Sequence, residues 1–178
     1  MSTAVLQSRA TGASKVATLV ATPPAPRQYL TFMLGGEAFA VGILCIKEII
    51  EYGHLTEVPM MPASVRGVIN LRGAVVPVID LQARFERPAS AVTKRTCIVI
   101  VELGDAAERQ VIGVVVDAVN EVLDLPAADI EPPPSFGAAI RSDFVSGMAK
   151  VRGKFVIVLE VASVLAIEDF SAPVDLSA

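Results

Sequence analysis

The apolar positions of this chain come in short, nearly continuous runs separated by polar or glycine-rich breaks. YLTFML (29–34), AVVPVI (74–79), IVIV (98–101) and VIGVVV (111–116) are examples. Each is too short for an amphipathic helix and too apolar for a solvated loop, so each predicts a buried strand. Gly35-Gly36 lies between YLTFML and AFAVGI (38–43), which predicts a β-hairpin. CIKEIIEY (45–52) satisfies helical spacing through Ile46, Ile49 and Ile50, but its brevity and β-branched content favour extended or mixed structure. Pro59 and Pro62 then interrupt the chain and allow at most a short turn of helix at 63–66.

AVVPVIDL (74–81) follows as a strand; Pro77 places it at an edge or a bulge, because proline gives no donor to a central ladder. Asp80 closes this strand and suits the N-cap of a short helix at 81–85. The second half opens with TCIVIVEL (96–103), the turn GDAAER and the strand QVIGVVVD. NEVLDL leads into a loop carrying Pro132-Pro133-Pro134, and ASVLAIEDF (162–170) predicts a short closing helix. Many short strands and no long helical pattern predict an all-β barrel or sandwich.

One sentence is written twice. GVINLRGAVVPVIDL (67–81) aligns with GMAKVRGKFVIVLEV (147–161), with identities at Gly67/Gly147, Arg72/Arg152, Gly73/Gly153, Val76/Val156 and Val78/Val158. FAVGILCIKEIIE (39–51) aligns with IGVVVDAVNEVLD (112–124) at an offset of 73, which pairs Glu48 with Glu121 and is kept by Pro59 and Pro132. The offset between the Arg-Gly strands is 80, which puts a single insertion around residues 133–146. Internal duplication of one β unit is the economical reading, and two small barrels sharing a core are its structural consequence.

Composition narrows the function. An apolar fraction of 53% and a mean hydropathy of +0.58 supply a large core, while no apolar run approaches the roughly 20 residues of a membrane-spanning helix. A net charge of −4 argues against affinity built on phosphate neutralisation, and 7 Phe, 2 Tyr and no Trp are few for a base-stacking platform. Residues 1–26 lack the layout of a secretory signal and read as a disordered tail ending in the linker TPPAP; residues 171–178 read as a second tail. Cys45 and Cys97 lie in apolar runs and read as buried, reduced thiols of a cytoplasmic protein. His54 is the sole histidine and has no ligand-spaced neighbours, so no metal site is expected. No nucleophile elbow or phosphate-cradling glycine loop appears, no cofactor is implied, and the residues point to a binding module rather than an enzyme.

The segment GVINLRGAVVPVIDL, with FMLGGEAFAVGI, CIKEIIE, VIGVVVDAVNEVLDL and FVSGMAKVRGKFVIVLEV, resembles the CheW family of bacterial chemotaxis coupling proteins over residues 27–170. The resemblance implies two packed five-stranded β-barrels of SH3/OB-like form, the first about 27–92 and the second about 93–170, with strand sharing possible. It implies a non-catalytic adaptor between the cytoplasmic tip of methyl-accepting chemoreceptors and the regulatory domain of the histidine kinase CheA, in the cytoplasm at membrane-bound receptor arrays. A chain of 178 residues leaves no room for the kinase's other domains or for the receiver domain of a CheV-type adaptor, so a stand-alone adaptor is expected.

By the same resemblance, Arg72 falls on the arginine used at the receptor groove, within Asn70-Leu71-Arg72-Gly73, and Glu48 and Ile46 fall on a receptor-contacting glutamate and its apolar neighbour. An arginine on a glycine-flanked turn offers a planar donor fork, and adjacent aliphatics suit a helix laid in a groove. Arg152 and Glu121 repeat Arg72 and Glu48, so each arginine can equally pair with its own glutamate. Asn70 accompanies the arginine only in the first copy, which favours Arg72 for function. Kinase contacts are expected near the hairpin 35–43 and the turn 52–55, without individual assignments. The competing class is an OB-like barrel that binds single-stranded nucleic acid, which the acidic balance and sparse aromatics oppose.

Overall fold

The apolar runs fold as strands where their patterning places them. In this computed structural model, which describes residues 27–105, 107–132 and 141–166, the first half supplies β1 (Arg27–Leu34), β2 (Glu37–Gly42), β3 (Ile46–Glu51), β4 (Val65–Leu71), β5 (Ala74–Asp80) and the short α1 (Leu81–Arg84). The second half supplies β6 (Cys97–Leu103), β7 (Gln110–Val116), β8 (Ala118–Leu125), the two-residue β9 (Ile130–Glu131), β10 (Val145–Val151), β11 (Lys154–Leu159) and α2 (Val161–Val164). NEVLDL belongs to β8, and CIKEIIEY opens in a 3-10 turn and continues as β3. No helix forms at 63–66; Val65 N–H closes a turn on Pro62 O and β4 begins there. The helix expected at 162–170 is observed as the single turn Val161–Val164; the rest of that expectation at 167–170, and the expected insertion at 133–140, lie outside the described residues.

The duplication is visible in the ladders, with an exchange. Sheet I runs β8-β1-β2-β11-β10-β9 and sheet II runs β3-β6-β7-β5-β4. Each sheet keeps three principal strands of one half and receives the hairpin of the other: β1–β2 inserts between β8 and β11, and β6–β7 between β3 and β5. In both, the guest hairpin pairs antiparallel on one side and parallel on the other. The sharing of strands between halves is therefore complete for the hairpins. It also buries Phe39, Ala40 and Val41 in the middle of hairpin 35–43, since β2 is flanked on both sides, and leaves the tip Gly35–Glu37 exposed.

The ladders are open rather than closed barrels, but each sheet curls until its ends meet. Ile50 of β3 and Ile69 and Leu71 of β4, at opposite ends of sheet II, pack on one cluster with Val78, Ile98, Ile100 and Val115. Leu125 of β8 and Ala149 of β10 do the same in sheet I. The chain bridges each seam: β8 passes Pro126 and continues as β9 against β10, and β3 runs on to Thr56, which bridges Val68 of β4. A third, larger cluster joins the sheets through Phe32, Phe39, Phe85 and Phe144, whose rings follow one another at 5.7–6.1 Å.

Two sequence features find their cause here. A Cβ on Gly67 would lie 2.5 Å from Thr56 O, and one on Gly147 2.7 Å from Glu131 O, so both glycines admit the closing segment. Pro77 sits on an interior strand, contrary to an edge assignment, yet opposite the stretch before β7 pairing starts at Val78. Its partner Val68 turns both backbone groups to Thr56, so the β4–β5 ladder asks no donor of Pro77. A bulge does lie nearby, at Arg66, with its repeat at Ser146.

Asp80 is wholly buried and fully used. It caps α1 through Gln82 N–H at 2.9 Å and Ala83 N–H at 3.4 Å, and accepts from Ser90 N–H, Ser90 Oγ and Arg66 Nε. Arg66 also donates to Tyr52 Oη and to Ser90 O, which ties the 86–96 loop and the end of β3 to one carboxylate. Asp80→Ala leaves Arg66 without its buried partner and is expected to cost about 3–5 kcal/mol; a loss under 1 kcal/mol in urea titration refutes that role. Gly147→Ala is expected to cost about 1–3 kcal/mol by overpacking at the seam, read in the same titration.

Candidate functional site

The seam of sheet II brings the predicted site residues together. Leu71 and Ala74 close a two-residue hairpin loop, Arg72-Gly73, in which both residues have positive φ, 51° and 86°. That backbone is the reversal best matched to strand twist, and glycine takes its second position without strain. Asn70 Oδ1 accepts from Gly73 N–H at 2.9 Å, so Asn70 and Gly73 hold the loop that carries Arg72. On the opposite edge, β3 bulges at Lys47 between the pairs Ile46↔Val101 and Glu48↔Ile100. The extra residue re-aims Glu48 across the seam, where its Oε2 accepts from Arg72 Nη2 at 2.6 Å.

The second half repeats the construction. Arg152 has the same φ of 51°, and β8 bulges at 120–121 against Thr31, whose buried hydroxyl donates to Glu121 O and accepts from Glu121 N–H. Arg152 then meets Glu121 across the seam of sheet I. Internal pairing of each arginine with its own glutamate is thus part of the duplicated fold. These pairs are exposed and each contributes only about 0.2–1 kcal/mol.

The copies differ in how completely the pair is made. Arg152 holds both oxygens of Glu121, Nη1 to Oε1 at 2.9 Å and Nη2 to Oε2 at 3.4 Å. In the first copy Nη2 alone bonds, and Glu48 Oε1 is buried with no hydrogen-bond partner. Arg72 Nε and Nη1 likewise have no protein partner among the described residues. An unpaired acceptor just below the surface thus lies beside the exposed guanidinium of Arg72, two of whose donor groups are unused among the described residues. Around them lie apolar side chains: Ile49, next to Glu48, is 43% exposed, and Val75, opposite Asn70, is 71% exposed.

Ile46 starts β3 and packs half-buried against the core between the sheets, while Ile49 and Val75 are the exposed large apolar side chains beside Glu48 and Asn70. Neither was singled out as a site residue from the sequence; the available signal was alternation within each strand, Val75 with buried Val76 and Val78 on β5 and Ile49 with the less exposed Glu48 and Ile50 on β3. Of the expected kinase surface, Gly35–Glu37 at the hairpin tip and Gly53 and His54 in the turn are the accessible parts. Cys45 and Cys97 are free and half-buried rather than buried. Burial pushes the Cys97 thiol up, and the Glu51 carboxylate adds to it.

Comparison with known proteins agrees with this architecture. The model of the CheW-like domain matches residues 28–169. The chemotaxis protein CheW of Rhizobium meliloti is 34% identical over 146 residues, covering 82% of this chain and 92% of its own. The chemotaxis protein CheW of Klebsiella aerogenes is 30% identical over 145 residues, covering 82% and 85%. The crystal structure of the scaffolding protein TtCheW from Thermoanaerobacter tengcongensis superposes with a TM-score of 0.69 at 36% identity, covering 79% of this chain and 88% of that one. With its duplicated β units and its Asn-Leu-Arg-Gly turn, the chain belongs to the CheW family.

Proposed function

We propose that this chain is a non-catalytic chemotaxis adaptor that couples the cytoplasmic tip of methyl-accepting chemoreceptors to the regulatory domain of the histidine kinase CheA. The observation that carries the receptor face is the half-made ion pair. Where the second copy closes both bonds between Arg152 and Glu121, the first leaves Glu48 Oε1 and two donor groups of Arg72 open, beside exposed Ile49 and Val75. A buried acceptor with no partner is costly alone, and a helix that donates to Glu48, accepts from Arg72 and lays apolar residues on Ile49 and Val75 relieves that cost. Asn70 and Gly73 act as positioning residues for Arg72.

The adaptor works by binding two partners at once, so modest interfaces act together and each partner's state biases the other by about 1–3 kcal/mol. Its setting is the cytoplasmic side of a receptor array; among the described residues no helix is long and apolar enough to cross a membrane. Family membership and the acidic balance favour this reading over a nucleic-acid barrel.

Arg72→Ala is expected to weaken binding to a receptor cytoplasmic fragment by about 30-fold, the equivalent of 2 kcal/mol at a hot spot, measured by calorimetry. Kinase binding and the melting temperature stay near those of the parent, and Arg152→Ala leaves receptor binding unchanged. Equal losses from Arg72→Ala and Arg152→Ala, or loss of kinase binding, count against the assignment. Reconstitution of receptor, kinase and adaptor, read as formation of a ternary complex and a rise in kinase activity, tests the coupling itself.

A further inference from the structure

A groove opens between the sheets where the chain enters β1. Its walls are Arg27–Tyr29, the Gly42–Cys45 turn, Leu103 at the end of β6, and the β11–α2 junction at 158–162. Leu44 stands at its rim almost wholly exposed, at 99%. Asp124 and Glu160 stand on its walls against Arg27, and neither carboxylate has a cationic partner among the described residues. Glu160 occupies the place at which the first half buries Asp80, yet it caps no helix. Burial pushes the Cys45 thiol up, a hydrogen bond from its own backbone opposes this, and the Glu160 carboxylate adds to the rise; Cys45 and Glu160 both line the groove. Among the described residues, nothing covers this apolar, net-negative groove.

The segment before Arg27 has the matching chemistry and begins at the groove wall. Residues 1–26 contain Arg9 and Lys15, no acidic residue, and the aliphatic run VATLV at 16–20. TPPAP (22–26) links that run to β1, and a Pro-rich chain at about 3.1 Å per residue makes this link roughly 15 Å long. That length allows the run to return along the groove, and a short tether holds it there at an effective concentration on the order of millimolar.

We propose that residues 9–20 dock in cis in this groove, with VATLV on Leu44 and Val161 and with Arg9 and Lys15 facing Asp124 and Glu160. The family's shared fold does not call for this contact; the charges and the point of entry of this chain do. Since Cys45 leads directly into Ile46–Glu48, the docked segment borders the receptor face without occupying Arg72.

The two native thiols test the idea on the intact chain, because Cys45 lines the groove and Cys97 does not. Alkylation by N-ethylmaleimide is followed at each cysteine by peptide mass, in the parent and in the double variant Leu19→Asp, Val20→Asp. A segment docked about 90% of the time protects about tenfold, so Cys45 in the variant should react about tenfold faster while Cys97 is unchanged. Equal Cys45 rates in parent and variant overturn the proposal. Parental protection that fades on dilution also overturns it, since the covering segment would then come from a second copy. Protection independent of concentration and lost in the variant establishes docking in cis, whatever the receptor experiments show.

Discussion

Neither half of this protein completes its own sheet, and that exchange organises everything else. A strand without a neighbour exposes a row of backbone donors and acceptors. Each half resolves this by receiving the hairpin of the other, so β1–β2 and β6–β7 become interior strands of sheets whose remaining members come from elsewhere in the chain. The exchange presses the two sheets face to face, and the large core that results draws on both halves through the phenylalanine series Phe32, Phe39, Phe85 and Phe144.

What the hairpins leave unsolved is the seam, where the outer strands of each curled sheet approach without a shared ladder. Three devices meet there in each copy. A glycine lets the connecting segment cross, a bulge turns a glutamate inward, and a tight Arg-Gly loop sets a guanidinium against it. The same architecture makes the seam the least committed part of the surface, because exposed ion pairs add little stability and can exchange partners at low cost. The receptor contact proposed at Arg72 and Glu48 therefore draws on a structural element without undermining the core beneath it.

Much of this was legible before any coordinates. The apolar runs marked the strands, Gly67/Gly147 and Arg72/Arg152 marked the repeat, and Asp80 announced the cap of α1. The exchange of hairpins was not legible, because Phe39 and Ile112 have the same apolar pattern whichever sheet receives them. The half-burial of Ile46 was not legible for a related reason: an aliphatic at the start of a strand can turn to the core or to solvent, and the bulge at Lys47 bears on which. Pro77 obeyed the donor rule but not the edge rule, since the bridge from Thr56 to Val68 determines which face of the ladder it joins. The unequal ion pairs were beyond any pattern of letters, because Arg-Gly and Glu read identically in both copies.

The traded hairpins bear on where such a chain can have come from. If a protein containing one unit alone kept this exchange, its hairpin would be seated in the sheet of an identical neighbour. Two such molecules would clasp one another about a twofold axis, each lending what the other lacks. Joining them end to end turns an obligate pair into one molecule, and it frees the two formerly identical faces to diverge toward unlike partners.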